Sequence, residues 1–256
     1  MATGTNIKTY FDGAWHDADI PVMRAADHGS WQGTTVFDGA RYVDGMAPDL
    51  RKHCDRVVRS AHALSLFPGK TGEDVFDIVW EGLKRYPKDV AVYVRPNFFG
   101  IGGGHYGIIP AEMEAGFYVC LEEVPMAAPE AASRLATTQF HRPILNTAVL
   151  DAKAGCLYPN NARMLLEARS KGYDNALVTD ALGNVAETAT ANIFMARDGE
   201  VFTPIPNGTF LDGITRRTVI ELAKRRGIEV RERAIMPEEL ADFDECFLCG
   251  TAAEVT

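Results

Sequence analysis

Residues 151–168 read DAKAGCLYPNNARMLLEA, and their one lysine, Lys153, stands between two alanines just ahead of a predicted helix. Burial lowers the pKa of a lysine side chain, which yields the free amine that forms an imine with a carbonyl carbon. These residues alone leave two interpretations open. A surface lysine is the simpler one, and a nucleophilic lysine in a site is the other.

Several features farther along the chain favour a site. Tyr158 follows Lys153 by five residues, and Glu187 precedes a cluster of small hydroxyl residues in GNVAETATANIF. Free N–H groups at the start of a helix bind phosphate. Residues in two turns offer such groups: Gly213, Ile214 and Thr215 in one, and Thr251 in the other. An imine-forming lysine, a carboxylate for a pyridinium and two phosphate-binding turns are together what pyridoxal phosphate (PLP) requires.

The hydrophobic pattern predicts two α/β parts without an internal repeat. We expect a smaller N-terminal domain over 1–125, an Ala- and Pro-rich linker over 126–140, and a larger C-terminal domain over 141–256 that lacks its last segment. TYFDGAWHD predicts a hairpin at its Asp-Gly, and TTVFDGARYVDG repeats that pattern. ARMLLEARSKGY predicts a helix that begins near Ala162 and ends at Gly172.

Composition excludes several classes of protein. The 256 residues carry a formal net charge of -9, which repels nucleic acid and anionic membranes. The N-terminal residues show no signal-peptide pattern, so we expect a soluble cytoplasmic protein. Five scattered cysteines predict reduced thiols, including two in one strand at Cys246 and Cys249. The six histidines show no metal-ligand spacing, and we expect no metal site.

GGGHYG at residues 102–107 satisfies the dinucleotide pattern G-x-G-x-x-G but lacks its context. That pattern needs a helix directly after the third glycine, and here IIP follows. A flexible hairpin tip, which could cover a site as a lid, is the better interpretation.

The stretches DAKAGCLYPNNARMLLEARSKGYDNALVTDALGNVAETATANIF, FLDGITRRTVIEL and GTAAEV resemble the class IV aminotransferases, PLP enzymes of fold type IV, and most closely the branched-chain amino acid aminotransferases. The resemblance covers nearly the whole chain. It implies a two-domain α/β (α+β) fold, similar to D-amino acid aminotransferase, with PLP at the domain interface. It also implies that 141–256 is the PLP-binding domain.

The resemblance implies a role for each matching residue. Lys153 would be the Schiff-base lysine and would carry the proton between the substrate Cα and C4′ of PLP. Glu187 would pair with the pyridine nitrogen, and Tyr158 would hydrogen-bond the phenolic oxygen. The phosphate would be bound by Arg56, which without the resemblance reads as an exposed helical arginine, and by the two turns that hold Gly213, Ile214, Thr215 and Thr251.

Substrate residues also follow from the resemblance. Tyr93 and Arg95 in VYVRPNFFG would help to place the substrate carboxylate, together with the N–H groups of Thr251 and Ala252, and Phe37 would form an apolar wall. Two features depart from the family pattern: Gln32 stands where an aromatic residue is usual, and the loop GIGGGHYGIIP matches poorly. In this family the loop at 100–109 reaches the neighbouring subunit's site, which implies a homodimer.

The expected activity is transfer of an amino group between an apolar, branched-chain-like amino acid and a 2-oxo acid such as 2-oxoglutarate, with ping-pong kinetics. An (R)-selective amine or D-amino acid transaminase of the same fold is an alternative that the altered pocket favours. A lyase similar to aminodeoxychorismate lyase and a non-enzymatic binding protein also remain open.

Overall fold

The computed structural model describes residues 4–128, 132–252 and 254–256, and it separates them into two compact units. The first unit ends at Met126 and also includes Asp151–Cys156, whereas the second consists of Ala127–Leu150 and Leu157–Thr256. No helix among these described residues is long and apolar enough to cross a membrane.

The first unit is a six-stranded antiparallel sheet with helices. Its strands are β1 (Thr5–Phe11), β2 (Ala14–His16), β3 (Thr35–Phe37), β4 (Ala40–Tyr42), β5 (Val92–Phe99) and β6 (Gly116–Glu123), and its helices are α1 (His28–Trp31), α2 (Leu50–Ala63) and α3 (Gly72–Leu83). The strand order is β2-β1-β6-β5-β3, and β4 also pairs with β5. Residues 105–107 form a single 3₁₀ turn in the connection between β5 and β6.

Alternation along β5 explains how the sheet is covered. Val92, Val94 and Phe98 are fully buried, and α2 and α3 contact this strand. Successive side chains of a strand point to opposite faces. The intervening Tyr93, Arg95 and Asn97 therefore lie on the other face.

The hairpin predicted at Asp12-Gly13 is confirmed, and the prediction of a second hairpin at Asp38-Gly39 is wrong. Asp12 and Gly13 adopt φ of 51° and 83° between β1 and β2, which suits a tight two-residue turn. By contrast, β3 and β4 do not pair with each other: both lie antiparallel to β5 in one continuous register, with Phe37 opposite Asn97 and Ala40 opposite Val94. The Asp38-Gly39 between them stays extended because Asp38 is engaged by side chains of α2 rather than by a turn.

The second unit contains two further sheets. Strands β7 (Leu135–His141), β8 (Asn175–Thr179) and β9 (Val185–Thr188) form one, in the order β7-β8-β9. The other has the order β12-β11-β10-β13-β14 and consists of β10 (Asn192–Arg197), β11 (Glu200–Pro204), β12 (Val230–Arg233), β13 (Glu245–Gly250) and β14 (Glu254–Val255). The helices are α4 (Tyr158–Ser170) and α5 (Ile214–Arg225), and residues 237–242 form a 3₁₀ turn.

Helix ends in the second unit follow the glycine signals of the sequence. Gly172 and Gly227 adopt φ of 82° and 75° just beyond α4 and α5, the left-handed conformation that ends many helices. The start of α4 differs from the expectation, because this helix begins at Tyr158 rather than near Ala162 and has Pro159 in its first turn. Proline is well tolerated there, since the first N–H groups of a helix have no acceptor within it.

The unit boundaries also differ from those expected. Strand β7 covers part of the segment 126–140 that we expected to be a linker, and residues 129–131 of that segment lie outside the described residues. Asp151–Cys156, expected in the C-terminal domain, belongs to the first unit because Ala154 forms a β-bridge with Val36 of β3. A short segment without hydrophobic periodicity carries no signal of which sheet it joins.

Candidate active site

Lys153 is held beside β3 by its own main chain. Phe37 N donates to Lys153 O at 3.1 Å, and Lys153 N donates to Ser60 Oγ at 3.1 Å. The flanking Ala152 and Ala154 are buried. Lys153 Nζ lies 4.9 Å from the centroid of the Phe37 ring. Lys153 is thus half-buried, with its amine against an aromatic face.

Phe37 connects this amine to one face of the sheet. Directly opposed residues of antiparallel strands have side chains on the same face. Phe37 is opposite Asn97, Tyr93 is opposite both Arg41 and Glu122, and Arg95 is opposite Cys120. We call the face that carries these residues the polar face: Phe37, Arg41, Tyr93, Arg95, Asn97, Cys120 and Glu122. The structure therefore brings Lys153, Phe37, Tyr93 and Arg95 to one side of the first unit.

Gly39 allows Tyr93 to pack closely against the strand beside it. A Cβ at position 39 would lie 2.2 Å from Tyr93 Oη and 2.9 Å from Cζ, far inside van der Waals contact. The Tyr93 ring is itself buried and stands within 5.4 Å of the Arg41 guanidinium carbon. Glycine at 39 is therefore required by the position of the Tyr93 hydroxyl.

Arg56 is buried on α2, so its interpretation as an exposed helical arginine is wrong. Asp38 accepts hydrogen bonds from Arg56 Nε at 2.6 Å and Nη2 at 2.8 Å, and it also pairs with His53 Nδ1 at 2.7 Å. Burial by itself raises the pKa of Asp38, but the hydrogen bonds and charge of Arg56, followed by those of His53, hold it well below its usual range. This ionised carboxylate fixes one edge of the Arg56 guanidinium.

In the second unit, Glu187 is the centre of a buried polar network. Arg142 Nη2 lies 3.1 Å from Glu187 Oε1, and Asn192 Nδ2 donates to Glu187 Oε2 at 3.4 Å. Arg142 is oriented in turn by Thr209 O at 3.1 Å and Asn161 Oδ1 at 2.8 Å. A buried carboxylate paired with a guanidinium stays an acceptor for a further donor.

Asn192 links Glu187 to the turn that begins α5. Its Nδ2 also donates to Leu211 O at 3.1 Å, and a Cβ at Gly213 would stand 2.2 Å from Asn192 Oδ1. Gly213 is the N-cap of α5 with no side-chain cap, and Ile214 and Thr215 form the first turn. The first N–H groups of a helix have no acceptor within it, which suits an anion at this end.

The last predicted residues lie in the second unit as well. Thr251 and Ala252 occupy the turn that follows β13, and Cys249 at the end of that strand is paired with Asn192 of β10. The structure therefore places Thr251 two residues beyond the cross-strand partner of Asn192. Tyr158, 37% exposed, is the first residue of α4.

Sequence reasoning missed the residues that orient the predicted ones: Asp38, Glu122, Arg142 and Asn192. Each is a buried polar residue, but the sequence alone does not distinguish a polar side chain on the surface from one in the core. A weak signal existed at Asn192, which directly follows the small residues after Glu187.

Two other sequence motifs can now be placed. The segment 102–107 is part of the antiparallel connection between β5 and β6, with a bridge between Gly103 and Pro110, and no helix follows it. Cys246 and Cys249 lie in strand β13 as expected; Cys249 is buried, whereas Cys246 is exposed. Among the residues that the structure describes, no group of three His, Cys, Asp or Glu side chains is arranged to hold a metal ion.

The residues present suit PLP as a cofactor. The first unit offers the amine of Lys153 beside the Phe37 ring. The second unit offers the buried carboxylate of Glu187, with Arg142 as its counter-charge, and the start of α5, where Gly213 leaves room for Asn192. These groups match an aldehyde, a ring nitrogen and a phosphate.

Comparison with known proteins shows the family. Residues 35–256 match the model of the family described as amino-transferase class IV. The probable branched-chain-amino-acid aminotransferase of Rickettsia bellii is 33% identical over 239 residues, which are 93% of this chain and 81% of the relative. The branched-chain-amino-acid aminotransferase of Escherichia coli K12 is 34% identical over 254 residues, covering 94% of this chain and 80% of the relative.

Solved structures agree with these relatives. An aminotransferase from Brucella abortus bound to PLP superposes with a TM-score of 0.95 at 46% identity, over 98% of this chain and 89% of that one. The branched-chain aminotransferase of Thermoproteus uzoniensis with norvaline gives a TM-score of 0.86 at 32% identity, over 97% and 85%. The chain thus has the fold type IV architecture, and it belongs to the class IV aminotransferases, PLP-dependent transaminases that are similar in this case to the branched-chain enzymes.

Proposed function

We propose that this transaminase moves an amino group between an apolar, branched-chain-like amino acid and a 2-oxo acid, with Lys153 as its catalytic residue. The observation that carries the proposal is the half-buried Lys153 amine, 4.9 Å from the Phe37 ring, on the side of the sheet that also carries Tyr93 and Arg95. The names of the relatives from Rickettsia bellii and Escherichia coli support the substrate class.

PLP, when bound, supplies an electron-withdrawing ring that stabilises negative charge at the substrate Cα. In the proposal, Lys153 Nζ holds the cofactor between turnovers and carries the proton to and from Cα.

The remaining cofactor contacts are proposed residue by residue. Glu187 would accept a hydrogen bond from the pyridine nitrogen and keep that nitrogen protonated, with Arg142 and Asn192 holding the carboxylate in place. The phosphate would be bound by Arg56 and by the N–H groups of Gly213, Ile214, Thr215 and Thr251, and Tyr158 would donate to the phenolic oxygen. Charge supports these assignments, because a guanidinium and a helix start both attract a phosphate.

For the substrate, we propose that Tyr93 and Arg95 orient the carboxylate together with the N–H groups of Thr251 and Ala252. Phe37 would contact the apolar side chain. The fixed position of Tyr93 against Gly39 supports an orienting role, since a side chain that cannot move holds its hydroxyl at one place.

Replacing Lys153 tests the catalytic assignment. Lys153→Ala is expected to abolish amino transfer and the visible absorbance of lysine-bound PLP. Borohydride reduction followed by peptide mapping should place the cofactor on the peptide that contains Lys153. The exposed Lys84, changed to alanine, is the control and should behave as the wild type. Full activity of Lys153→Ala would exclude the assignment.

A donor panel tests the substrate class. L-leucine, D-alanine and (R)-1-phenylethylamine are supplied in parallel with 2-oxo acid acceptors, and the spectral change of the cofactor is followed. The proposal expects L-leucine to react fastest. Preference for the D-amino acid or the amine would instead support the alternative that Gln32 and the 100–109 loop favour.

We also propose that the enzyme is a cytoplasmic homodimer whose loop 100–109 lies near the partner's site. Exposed apolar side chains support an interface at this loop, since Tyr106 is 88% exposed and Ile108 65%. All five cysteines are free, as in proteins of a reducing compartment. Sedimentation velocity that gives the mass of one chain would contradict the dimer.

A further inference from the structure

Both side chains that hold the Glu187 carboxylate take their orientation from one loop of the second unit. This support loop comprises residues 205–213, between β11 and α5. Two of its main-chain oxygens are acceptors at 3.1 Å: Thr209 O for Arg142 Nε and Leu211 O for Asn192 Nδ2. The conformation of the loop therefore sets the direction from which both side chains approach Glu187.

The Asn207 side chain fixes the conformation of the support loop. Its Oδ1 accepts hydrogen bonds from Thr209 Oγ1 at 2.6 Å and from Thr209 N at 3.2 Å. Asparagine side chains stabilise turns through such bonds to the main chain two residues on, and Gly208 between the two residues adopts φ of 79°. Thr209 is buried. The amide of Asn207 thus holds in place the residue whose main-chain oxygen orients Arg142.

Asp180 anchors Asn207 from the other side. Its Oδ2 accepts a hydrogen bond from Asn207 Nδ2 at 2.9 Å, and its Oδ1 accepts from Leu182 N and Asn184 N, each at 2.9 Å. Asp180 is 1% exposed, and a buried carboxylate requires such donors. A continuous path of hydrogen bonds and one ion pair therefore runs within the second unit: Asp180, Asn207, Thr209, Arg142 and Glu187.

We propose that Asn207 is a positioning residue for the ring nitrogen of the cofactor, acting through the support loop on Glu187. The inference rests on the proposed function, in which Glu187 accepts a hydrogen bond from that nitrogen. Hydrogen bonds weaken steeply when donor and acceptor are misaligned. Without the Asn207 amide the loop loses its anchor, and a shift of Thr209 O turns the Arg142 guanidinium. The carboxylate paired with that guanidinium then moves out of line with the nitrogen.

Two cofactors that differ only at the ring nitrogen test this role. PLP is compared with the analogue in which a C–H group replaces that nitrogen, and both keep the aldehyde and the phosphate. Each is titrated calorimetrically into the full chain freed of cofactor, and the ratio of the two dissociation constants measures the contribution of the nitrogen. In Asn207→Ala we expect the preference for PLP to fall about fivefold, the effect of roughly one hydrogen bond. Damage to the loop that does not reach Glu187 would raise both dissociation constants equally and leave the ratio unchanged.

Asn184→Ala is the matched control. The Asn184 side chain donates to the same carboxylate, at 3.2 Å to Asp180 Oδ2 and 3.4 Å to Oδ1, but it belongs to the turn between β8 and β9 and not to the support loop. This variant should keep the ratio within about twofold of the wild type. In a Glu187→Gln background, Asn207→Ala should also change the ratio by less than about twofold, because both substitutions act on the same contact.

A second variant covers the case in which Asn207→Ala does not fold. Asn207 is exposed, so truncating it leaves no buried cavity. If the circular dichroism spectrum of Asn207→Ala nevertheless differs from that of the wild type, Asn207→Leu is measured in its place, with the same expected ratio.

The outcomes separate this inference from the proposed function. If the wild type prefers PLP and Asn207→Ala keeps that preference within about twofold, the role of Asn207 is overturned while that of Glu187 stands. An equal loss of preference in Asn184→Ala also overturns it. A wild type that binds both cofactors equally well overturns the role of Glu187 and this inference together. A wild type that transfers no amino group from L-leucine contradicts the proposed function, and the binding ratio still decides the role of Asn207.

Discussion

Asp38→Ala removes the counter-charge of a buried arginine in the first unit. Asp38 is fully buried and accepts hydrogen bonds from Arg56 at 2.6 and 2.8 Å, besides its bonds with His53 at 2.7 Å and Gly39 N at 2.7 Å. Removing one member of a buried pair leaves an uncompensated charge and costs about 3–5 kcal/mol. We expect the free energy of unfolding to fall by about this amount.

Tryptophan fluorescence is a suitable probe for this measurement. All three tryptophans, Trp15, Trp31 and Trp80, lie in the first unit, so their emission reports its unfolding in urea. Cofactor-free protein is used, because lost PLP binding would otherwise add to the destabilisation. Asp55→Ala on the exposed side of the same helix is the control and should change stability by less than about 0.5 kcal/mol. A loss below about 1 kcal/mol for Asp38→Ala would refute the reasoning.

The same carboxylate predicts a dependence of stability on pH. The pKa of Asp38 is held below its usual range in the folded protein, chiefly by Arg56 acting against the effect of burial. The stabilisation from this group is therefore complete above the unfolded-state pKa of about 3.9 and is lost as the pH falls from there toward the folded-state pKa. The wild type should lose stability more steeply than Asp38→Ala below about pH 4.

Two further substitutions test the site. Arg142→Met leaves the Glu187 carboxylate buried without its guanidinium, and we expect the dissociation constant for PLP to rise by roughly tenfold in a fluorescence titration, or about 1.4 kcal/mol; an unchanged constant would show that Arg142 does not support Glu187. Gly39→Ala places a Cβ 2.2 Å from Tyr93 Oη, and overpacking of this kind costs about 1–3 kcal/mol; KM for L-leucine should rise, and wild-type stability and KM together would contradict the close packing.

Much of the fold follows from local signals. The hydrophobic pattern predicts the helix that became α4, and the glycine at 172 marks its end. Asp12-Gly13 predicts the first hairpin correctly. The identical dipeptide at Asp38-Gly39 does not form a turn, because its aspartate is bound by Arg56 and His53 of a distant helix.

For the site, the sequence by itself determined the family and the candidate residues, because the spacing of Lys153, Tyr158 and Glu187 and the two glycine turns lie in contiguous motifs. The tertiary structure alone decided what surrounds those residues. Arg142 with Glu187, Arg56 with Asp38 and Arg95 with Glu122 are each far apart in the chain and meet through strand register and helix packing. The sequence does not show whether a charged side chain is hydrated or forms a buried ion pair, so only the folded chain reveals which charged residues are paired.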